Sequence, residues 1–282
     1  MGQELAAVFF GLAAAASWGA GDFGGGVATK RSPVYVVVLL SHIVGLAGLF
    51  LLIGLSGEPL PASGNLWIGA LGGIAGAVGV AALYTGLSQG RMGIVAPLTA
   101  VITAVVPVLF GLFREGLPTT QQLAGFLVAL LAVWLIANDN GAGFTGLNWQ
   151  DFRLPIIAGL GFGLFFISID QVSDDAILWP LAAARVASIL FMLILVLISQ
   201  QRGVPARGQL AVIAMVGVSD TAGNAFFALA TSLGRLDIAA ILSSLYPAVT
   251  ILLAHFLLDE NISRQQWMGI AAALAAVVLI TA

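Results

Sequence analysis

The sequence contains no cysteine, only two histidines and very few charged side chains. Without cysteine, the chain of 282 residues cannot form disulfides, thiolate zinc sites or iron–sulfur clusters. Two histidines leave little for an imidazole metal site, so we expect neither a metal nor a cofactor. Charged residues make up 8% of the chain, whereas a soluble domain carries about 25%, which excludes a soluble enzyme. The net charge of −3 excludes a basic face for nucleic acid.

Hydrophobic residues are what the chain has in abundance, at 60% of the sequence with a mean hydropathy of +1.07. A helix needs about 20 apolar residues to cross a bilayer. Charged or Pro/Gly/Asn-rich breaks delimit ten segments of about this length. The segments are 4–27, 34–56, 65–88, 93–113, 120–137, 153–172, 178–199, 208–232, 237–257 and 264–281. We therefore predict an all-α membrane protein with ten transmembrane helices.

An internal repeat relates the two halves of the chain. Residues 88–98 align with 232–242, and residues 121–136 align with 265–280 at the same offset of 144 positions. Five helices per repeat is an odd number, so the second copy must enter the membrane from the opposite side. Inverted repeats of this kind build secondary transporters, whose binding site lies near the midplane where the halves meet.

The repeat fixes the expected domain organisation. We predict a first five-helix repeat over 1–137, a linker loop over 138–152 and a second, inverted five-helix repeat over 153–282. The linker region is polar and rich in glycine. The sequence contains no stretch that fits a soluble domain and no nucleotide-binding motif.

Three stretches carry a resemblance to a known family: SWGAGDFGGGVATKRSP (17–33), LSSLYPAVTILLAHFLLDENISRQQWMGI (242–270) and its first-half echo APLTAVITAVVPVLFGLFREGLPTTQQLAG (96–125). On these motifs the chain resembles the EamA-type branch of the drug/metabolite transporter superfamily, across both halves. The first half departs at Thr103, which stands where Pro247 predicts a proline. The resemblance implies a cavity lined by helices 1–4 and 6–9, with helices 5 and 10 as scaffold.

Prolines and basic residues add two further expectations. Pro97, Pro107 and Pro247 should interrupt the fourth and ninth helices, because each removes a backbone hydrogen bond. Seven Lys and Arg residues lie in the odd-numbered connections and two in the others, which by the positive-inside rule places both termini outside. The resemblance implies the opposite, cytoplasmic termini in the cell inner membrane. Since Lys30 and Arg91 fall at motif positions and so weaken the charge count, we adopt the cytoplasmic placement.

Asp220 is the acid most deeply placed within a predicted span, and Asn224 follows four residues later on the same helix face. An ionisable group at a membrane centre costs at least about 2.5–3.5 kcal/mol, so it is a functional candidate by default. Asp220 is therefore predicted to bind a substrate amine or a proton. The alternative is a neutral or paired aspartate that fixes two helices together.

Arg185 lies about two turns into the seventh segment and cannot be neutralised at ordinary pH. It needs a carboxylate partner or an anionic ligand. One interpretation is a permanent salt bridge to Asp170 or Asp220; the other is a clamp for a substrate carboxylate, which a guanidinium fits well.

Aromatic and gating candidates complete the predicted site. Three aromatic side chains inside spans either form an apolar wall for substrate or pack in the core; they are Trp18, Tyr84 and Tyr246. Asp22 and Asp170 are related by the repeat and lie toward helix ends, which suggests equivalent gating or interfacial roles on opposite faces. His42 is either a proton relay or a histidine hydrogen-bonded to a neighbouring helix.

Together these features predict a secondary active transporter rather than an enzyme. We expect it to export a small metabolite such as an amino acid, by alternating access with proton coupling or exchange. Its partners would be the substrate and membrane lipid, not nucleic acid, and it would act as a monomer or homodimer. The alternatives are a channel or a lipid-handling membrane protein, although the sequence shows no carbonyl filter and no interfacial polar cluster.

Overall fold

The computed structural model describes residues 2–88, 92–137, 149–199 and 203–281 of the chain. These ranges contain eleven α-helices and no strand. The helices are α1 (Gly2–Thr29), α2 (Val34–Ser56), α3 (Ser63–Ser88), α4 (Met92–Arg114), α5 (Thr120–Ala137), α6 (Trp149–Ser173), α7 (Leu178–Ser199), α8 (Arg207–Leu233), α9 (Leu236–Ser243), α10 (Tyr246–Leu258) and α11 (Arg264–Thr281). Each predicted segment is helical. Most of the predicted linker lies outside the described residues, and α6 begins within its last positions.

The helices have the length and surface of a membrane protein. In the described part of the chain, eight are long and apolar enough to cross a bilayer, with α9 and α10 counted together as Leu236–Leu258. Two shorter apolar helices accompany them, Leu98–Arg114 and Thr120–Ile136. Large hydrophobic side chains such as those of Leu55 and Phe113 point outward and are exposed. Such a surface is unfavourable in water but matches the hydrocarbon of a bilayer.

The prolines of the ninth segment and of α4 have different effects on their helices. The ninth segment breaks between α9 and α10, and Pro247 lies in the first turn of α10, where its missing N–H costs no intrahelical bond. The interruption expected at Pro247 is therefore confirmed. At Pro97 and Pro107 the expectation is wrong, because α4 continues through both as one helix. A single missing bond is tolerated in a membrane helix when neighbouring turns remain paired.

Helix α1 packs along α8 in the opposite direction. A Cβ atom added to Gly24 would meet the Val216 side chain at 2.9 Å, and one added to Gly234 would meet Ala7 at 2.7 Å. The repeat-related pair, α6 and α3, shows the same antiparallel arrangement. A Cβ on Gly79 would lie 2.9 Å from the Phe162 ring. Small residues therefore allow the closest helix approaches, as is typical inside membranes.

The remaining contacts fix the direction of the other helices. α2 runs parallel to α8, since Gly45 contacts Thr221 and Gly217 contacts the Ser41 carbonyl. α3 runs parallel to α7, and α7 is antiparallel to α2. Helix α1 is antiparallel to α8, α8 is parallel to α2, and α2 is antiparallel to α7. Helix α7 is parallel to α3, and α3 is antiparallel to α6. Helices α1 and α6 therefore run in opposite directions.

Helices α5 and α11 pair with each other in antiparallel fashion. A Cβ on Gly125 would lie 2.7 Å from the Ile280 side chain, and one on Gly269 would lie 2.7 Å from Ile136. These directions place six parts of the chain at one end of the bundle: the start of α1, the end of α11 and the connections that follow α2, α4, α6 and α8. We call it the terminal end.

Candidate functional site

A cavity of about 190 Å³ lies at the centre of the bundle. Helices α1–α4, α6–α8 and α10 line it, whereas α5 and α11 contribute no lining residue among those described. Its lining residues lie near the middle of α4 and α8, in the half away from the terminal end on α1, α2 and α3, and in the half nearer that end on α6 and α7. Seven residues singled out from the sequence meet there: Trp18, Asp22, His42, Arg185, Asp220, Asn224 and Tyr246. Of the other two, Asp170 lies elsewhere, and the side chain of Tyr84 is outside the described part of the structure.

Arg185 and Asp220 form an ion pair between α7 and α8. Nη2 of Arg185 donates to Oδ2 of Asp220 and also, at 3.4 Å, to Oγ1 of Thr221. The Arg185 side chain is 8% exposed and that of Asp220 is 33% exposed. The guanidinium is thus occupied by the protein while one side of the carboxylate faces the cavity. The geometry favours the salt bridge to Asp220 and gives Arg185 no contact with Asp170.

Two glycines make room for this pair. A Cβ atom on Gly45 would overlap Oγ1 of Thr221 and come within 3.5 Å of Nε of Arg185. A Cβ on Gly73 would overlap the backbone of Ala184, next to Arg185. Because neither glycine has a side chain, α2 and α3 can lie directly against α7 and α8 beside the cavity.

Aromatic rings form one wall. The Trp18 ring stacks on Phe166 with centroids 5.2 Å apart, and Phe166 stacks on Phe227 at 4.3 Å. Nε1 of Trp18 donates to Oδ1 of Asn224 at 3.2 Å. Trp18 therefore belongs both to the packed core and to the cavity surface, so the two alternatives given for it are not exclusive.

His42 is held by a hydrogen-bonded chain. Its Nδ1 lies 3.0 Å from Oγ of Ser188, and that hydroxyl lies 3.0 Å from the carbonyl oxygen of Arg185. A serine has one hydroxyl proton, so whenever it is donated to the carbonyl, Nδ1 must donate to Ser188. The interhelical hydrogen bond expected for His42 is present, and the ring also borders the cavity.

Asp22 lies where α1 crosses α8. A Cβ on the preceding Gly21 would be 3.6 Å from the backbone nitrogen of Asp220, so the two aspartates come from neighbouring backbone positions. The described residues offer Asp22 no hydrogen bond or ion pair. Asp22 lies toward the end of α1, which ends at Thr29, as predicted, and it also lines the cavity. Its gating role stays a prediction.

Asp170 occupies the other half of the molecule. It lies near the end of α6 and accepts a hydrogen bond from Nε2 of Gln171 at 3.3 Å. The repeat-related aspartates thus lie in opposite halves of the bundle, as an inverted arrangement requires, and only Asp22 reaches the cavity.

Thr103 is a cavity residue that the sequence reasoning did not select. It is 5% exposed, it lines the cavity from α4, and its Oγ1 has no hydrogen-bond partner. Its departure from the proline expected at this repeat position was the signal that could have identified it.

The terminal end carries a second charged cluster, which the sequence reasoning also missed. Nη2 of Arg235 lies 2.7 Å from Oδ2 of Asp237, and Nε of Arg235 lies 3.6 Å from Oε2 of Glu115. Arg235 also donates to the carbonyl oxygen of Gly116 at 2.8 Å. Burial raises the pKa of Glu115, against the opposing effects of a hydrogen bond from the Leu236 amide and of Arg235. This terminal cluster joins the first repeat to the second.

Glu58 makes another contact between the repeats at the same end. Its carboxylate accepts hydrogen bonds from the amides of Ile177, Leu178 and Trp179 at 3.0–3.2 Å. Nε1 of Trp179 in turn donates to the Glu58 carbonyl oxygen at 3.0 Å. A carboxylate at a helix N-terminus satisfies unpaired amides and complements the helix dipole.

A weaker contact completes the set of contacts that join the two repeats at the terminal end. We call this set the seal. Nδ2 of Asn65 at the start of α3 donates to Oδ2 of Asp175 at 2.9 Å, and both groups are exposed. The first and second repeats are therefore tied together at the terminal end by groups on four connections, away from the cavity.

These features define a multi-pass helical membrane protein built from two related halves around a central, mainly apolar cavity that contains a few charged side chains. Consistent with that class, the family model described as the EamA-like transporter family matches residues 5–138 and again 154–282. The chain belongs to this family, within the drug/metabolite transporter superfamily, whose members are membrane transporters.

Comparison with other proteins adds the fold. A solved structure described as "Crystal structure of protein" is similar with a TM-score of 0.80 and 16% identity, over 97% of this chain and 95% of that chain. At this identity the likeness concerns the fold alone. No curated protein matches the sequence.

Proposed function

We propose that the protein is a secondary active transporter with ten spanning helices in two inverted five-helix repeats. The observation that carries the proposal is the central cavity between the repeats, which holds a buried ion pair and ends at a charged seal. The opposite directions of α1 and α6 and the mirrored packing of α1 on α8 and α6 on α3 support the inverted arrangement.

The contacts at the terminal end correspond to one state of an alternating-access cycle. In that state the repeats are joined by Glu58 and by the cluster of Arg235, Asp237 and Glu115. On α1, α2 and α3 the cavity lining reaches into the half away from that end. With cytoplasmic termini, the cavity would extend toward the outside. A substrate released in this state would leave the cell, which is the reason for proposing export.

The proposed substrate is a small metabolite such as an amino acid. A cavity of about 190 Å³ is smaller than the pockets of about 300–1,000 Å³ that hold drug-sized ligands. Asp220 would receive a proton or an amine, Arg185 would hold Asp220 in place, and Trp18 would contribute the apolar wall. Proton coupling or exchange would supply the energy.

Counterflow in proteoliposomes tests transport directly. Vesicles loaded with unlabelled substrate should accumulate labelled substrate transiently above equilibrium, because a carrier exchanges solutes across the membrane. A channel or a lipid-handling protein would show no stimulation from the opposite side. Candidate substrates come from a thermal-shift screen of amino acids, nucleosides and sugars, since a ligand stabilises the state that it binds.

Asp220→Asn tests the coupling role. The variant keeps the size of the side chain and should abolish the pH dependence of uptake. Asp174→Asn is the matched control, because Asp174 is an exposed acid beyond the end of α6. If pH-dependent uptake by Asp220→Asn equals that of the control, the proton role of Asp220 is wrong.

A further inference from the structure

We propose that the cavity binds small organic amines in their cationic form, with Asp22 and Asp220 receiving the ammonium group. The inference rests on the proposed transport function and narrows its substrate class. Among amino acids and other small metabolites, it favours molecules without a free carboxylate.

The charges on the cavity surface carry the first step. Two carboxylates, of Asp22 and Asp220, face one guanidinium, of Arg185. The Arg185 side chain is only 8% exposed and is bound to Asp220 and Thr221, whereas the Asp220 side chain is 33% exposed. A ligand therefore meets carboxylate oxygens and not the guanidinium. An anionic group entering the cavity would be repelled, and a cation would be attracted.

Asp22 provides the second step. It borders the cavity and receives no hydrogen bond or ion pair from the described residues, although α8 brings Asp220 close to it. An unpaired carboxylate within a membrane-spanning helix is costly. An ammonium group would pair with it through charge-assisted hydrogen bonds and would balance the excess negative charge.

Thr103 is an independent sign of a ligand. Its buried Oγ1 lines the cavity from α4 without a hydrogen-bond partner. Buried polar groups are normally paired, so the unmade bond points to a ligand that supplies one. The rings of Trp18 and Phe166 on the cavity wall suit an apolar body and, through their faces, a cation.

A series of probes that share one ring tests the charge preference. Phenethylamine is a cation at neutral pH, phenylalanine is a zwitterion and phenylacetate is an anion. Calorimetry on the purified full-length protein should show phenethylamine binding at least about tenfold more tightly than the other two. Equal or reversed affinities overturn the proposal, and so does the absence of amine binding at about 10 mM.

Asp22→Asn locates the effect in the cavity. The variant should lose about tenfold or more in phenethylamine affinity while its melting temperature in detergent stays close to the native value, which a misfolded protein would not show. Asp174→Asn removes an exposed carboxylate elsewhere and should leave the phenethylamine affinity unchanged. Unchanged amine affinity in Asp22→Asn overturns the role of Asp22.

Thr103→Val tests the hydroxyl contact at nearly constant shape. An amine that carries a hydroxyl, 2-amino-1-phenylethanol, should bind the native protein about threefold to tenfold more tightly than phenethylamine, and the variant should lose this preference. A preference that survives the substitution overturns the contact.

Counterflow experiments distinguish a failure of this inference from a failure of the proposed function. If the protein transports another solute but no amines, only this inference is wrong. If no solute shows counterflow, the proposed function is wrong.

Discussion

The two arginine–carboxylate clusters of this protein differ in which of their charged side chains is accessible. In the cavity, Arg185 is buried and its partner Asp220 is accessible, with side-chain exposures of 8% and 33%. At the terminal end Asp237 is 0% exposed, whereas Arg235 is 27% and Glu115 24% exposed. In the cavity a ligand can therefore reach the carboxylate but hardly the arginine. At the terminal end the arginine is accessible and its aspartate partner is not.

The clusters also differ in what they connect. Arg185 and Asp220 belong to the same repeat, on α7 and α8, so their bond can persist while the repeats move. Arg235 reaches across to Glu115 and Gly116 of the first repeat. This contact must break if the terminal end opens. In the proposed cycle, the cavity pair would therefore be a fixed part of the site, and the terminal cluster would break and re-form as that end opens and closes.

Arg185→Ala should have the largest effect. Removing one member of a buried ion pair leaves the other charge unpaired, which typically costs about 3–5 kcal/mol. We expect a markedly lower melting temperature in detergent and loss of transport. Adding Asp220→Asn to the same chain should recover part of the stability but not the transport. If Arg185→Ala melts like the native protein, the pair is not the fixed element described above.

Arg235→Gln should come next and should act on the seal. The absence of cysteine from the chain makes Ser173→Cys the only thiol, at a buried position where Thr231 donates to Ser173 at 3.1 Å near the terminal end. Weakening the seal by about 1 kcal/mol should speed labelling by an impermeant maleimide about fivefold.

The same labelling assay supplies its own comparison. Arg185→Lys, which keeps a cation beside Asp220, should not speed the labelling of Ser173→Cys, because the cavity pair lies within one repeat. Equal labelling rates with and without Arg235→Gln would show that the terminal cluster does not hold this end closed.

Glu58→Gln should have a smaller effect. The amide keeps one acceptor oxygen but loses the negative charge at the start of α7, a loss of about 0.3–1 kcal/mol. A fall of a few degrees in melting temperature is expected, against no change for Glu260→Gln, whose side chain is exposed. A stability equal to that control would mean that the charge on Glu58 contributes nothing to the seal.

Asn65→Ala should have the smallest effect. Its hydrogen bond to Asp175 is exposed on both sides, and surface contacts of this kind change stability by no more than about 0.5 kcal/mol. Melting temperature and Ser173→Cys labelling should both stay at native values. A large change would show that the seal depends on this contact more than on its charged groups.

The helices and the cavity residues could be predicted because they follow from local composition. Apolar runs bounded by polar residues give the spans, and buried charges such as Asp220 and Arg185 are conspicuous within them. The terminal cluster could not be predicted in the same way. Glu115, Arg235 and Asp237 lie at helix ends, where charged residues usually face water. Only the packing of α4 against α9, where Gly111 lies beside Asp237, reveals that Asp237 is completely buried.

Two features of the cavity depend on the packing of the helices. The sequence places Asp22 toward the end of α1, but its position on the cavity wall beside Asp220 follows from the glycines that let α1 cross α8 closely. Thr103 was overlooked because a threonine inside a membrane helix usually bonds to its own backbone. Its unpaired hydroxyl becomes visible only with coordinates.

The contact at Gly73 indicates whether one half of the chain could exist without the other. Helices α3 and α7 come from different halves, yet they touch backbone to backbone where Gly73 meets Ala184. A fragment ending after α5 would leave this groove, and the glycine face of α3 that receives α6, open to lipid. Such a fragment could fill them only with an upside-down copy of itself, so a single inserted half is not a self-sufficient molecule.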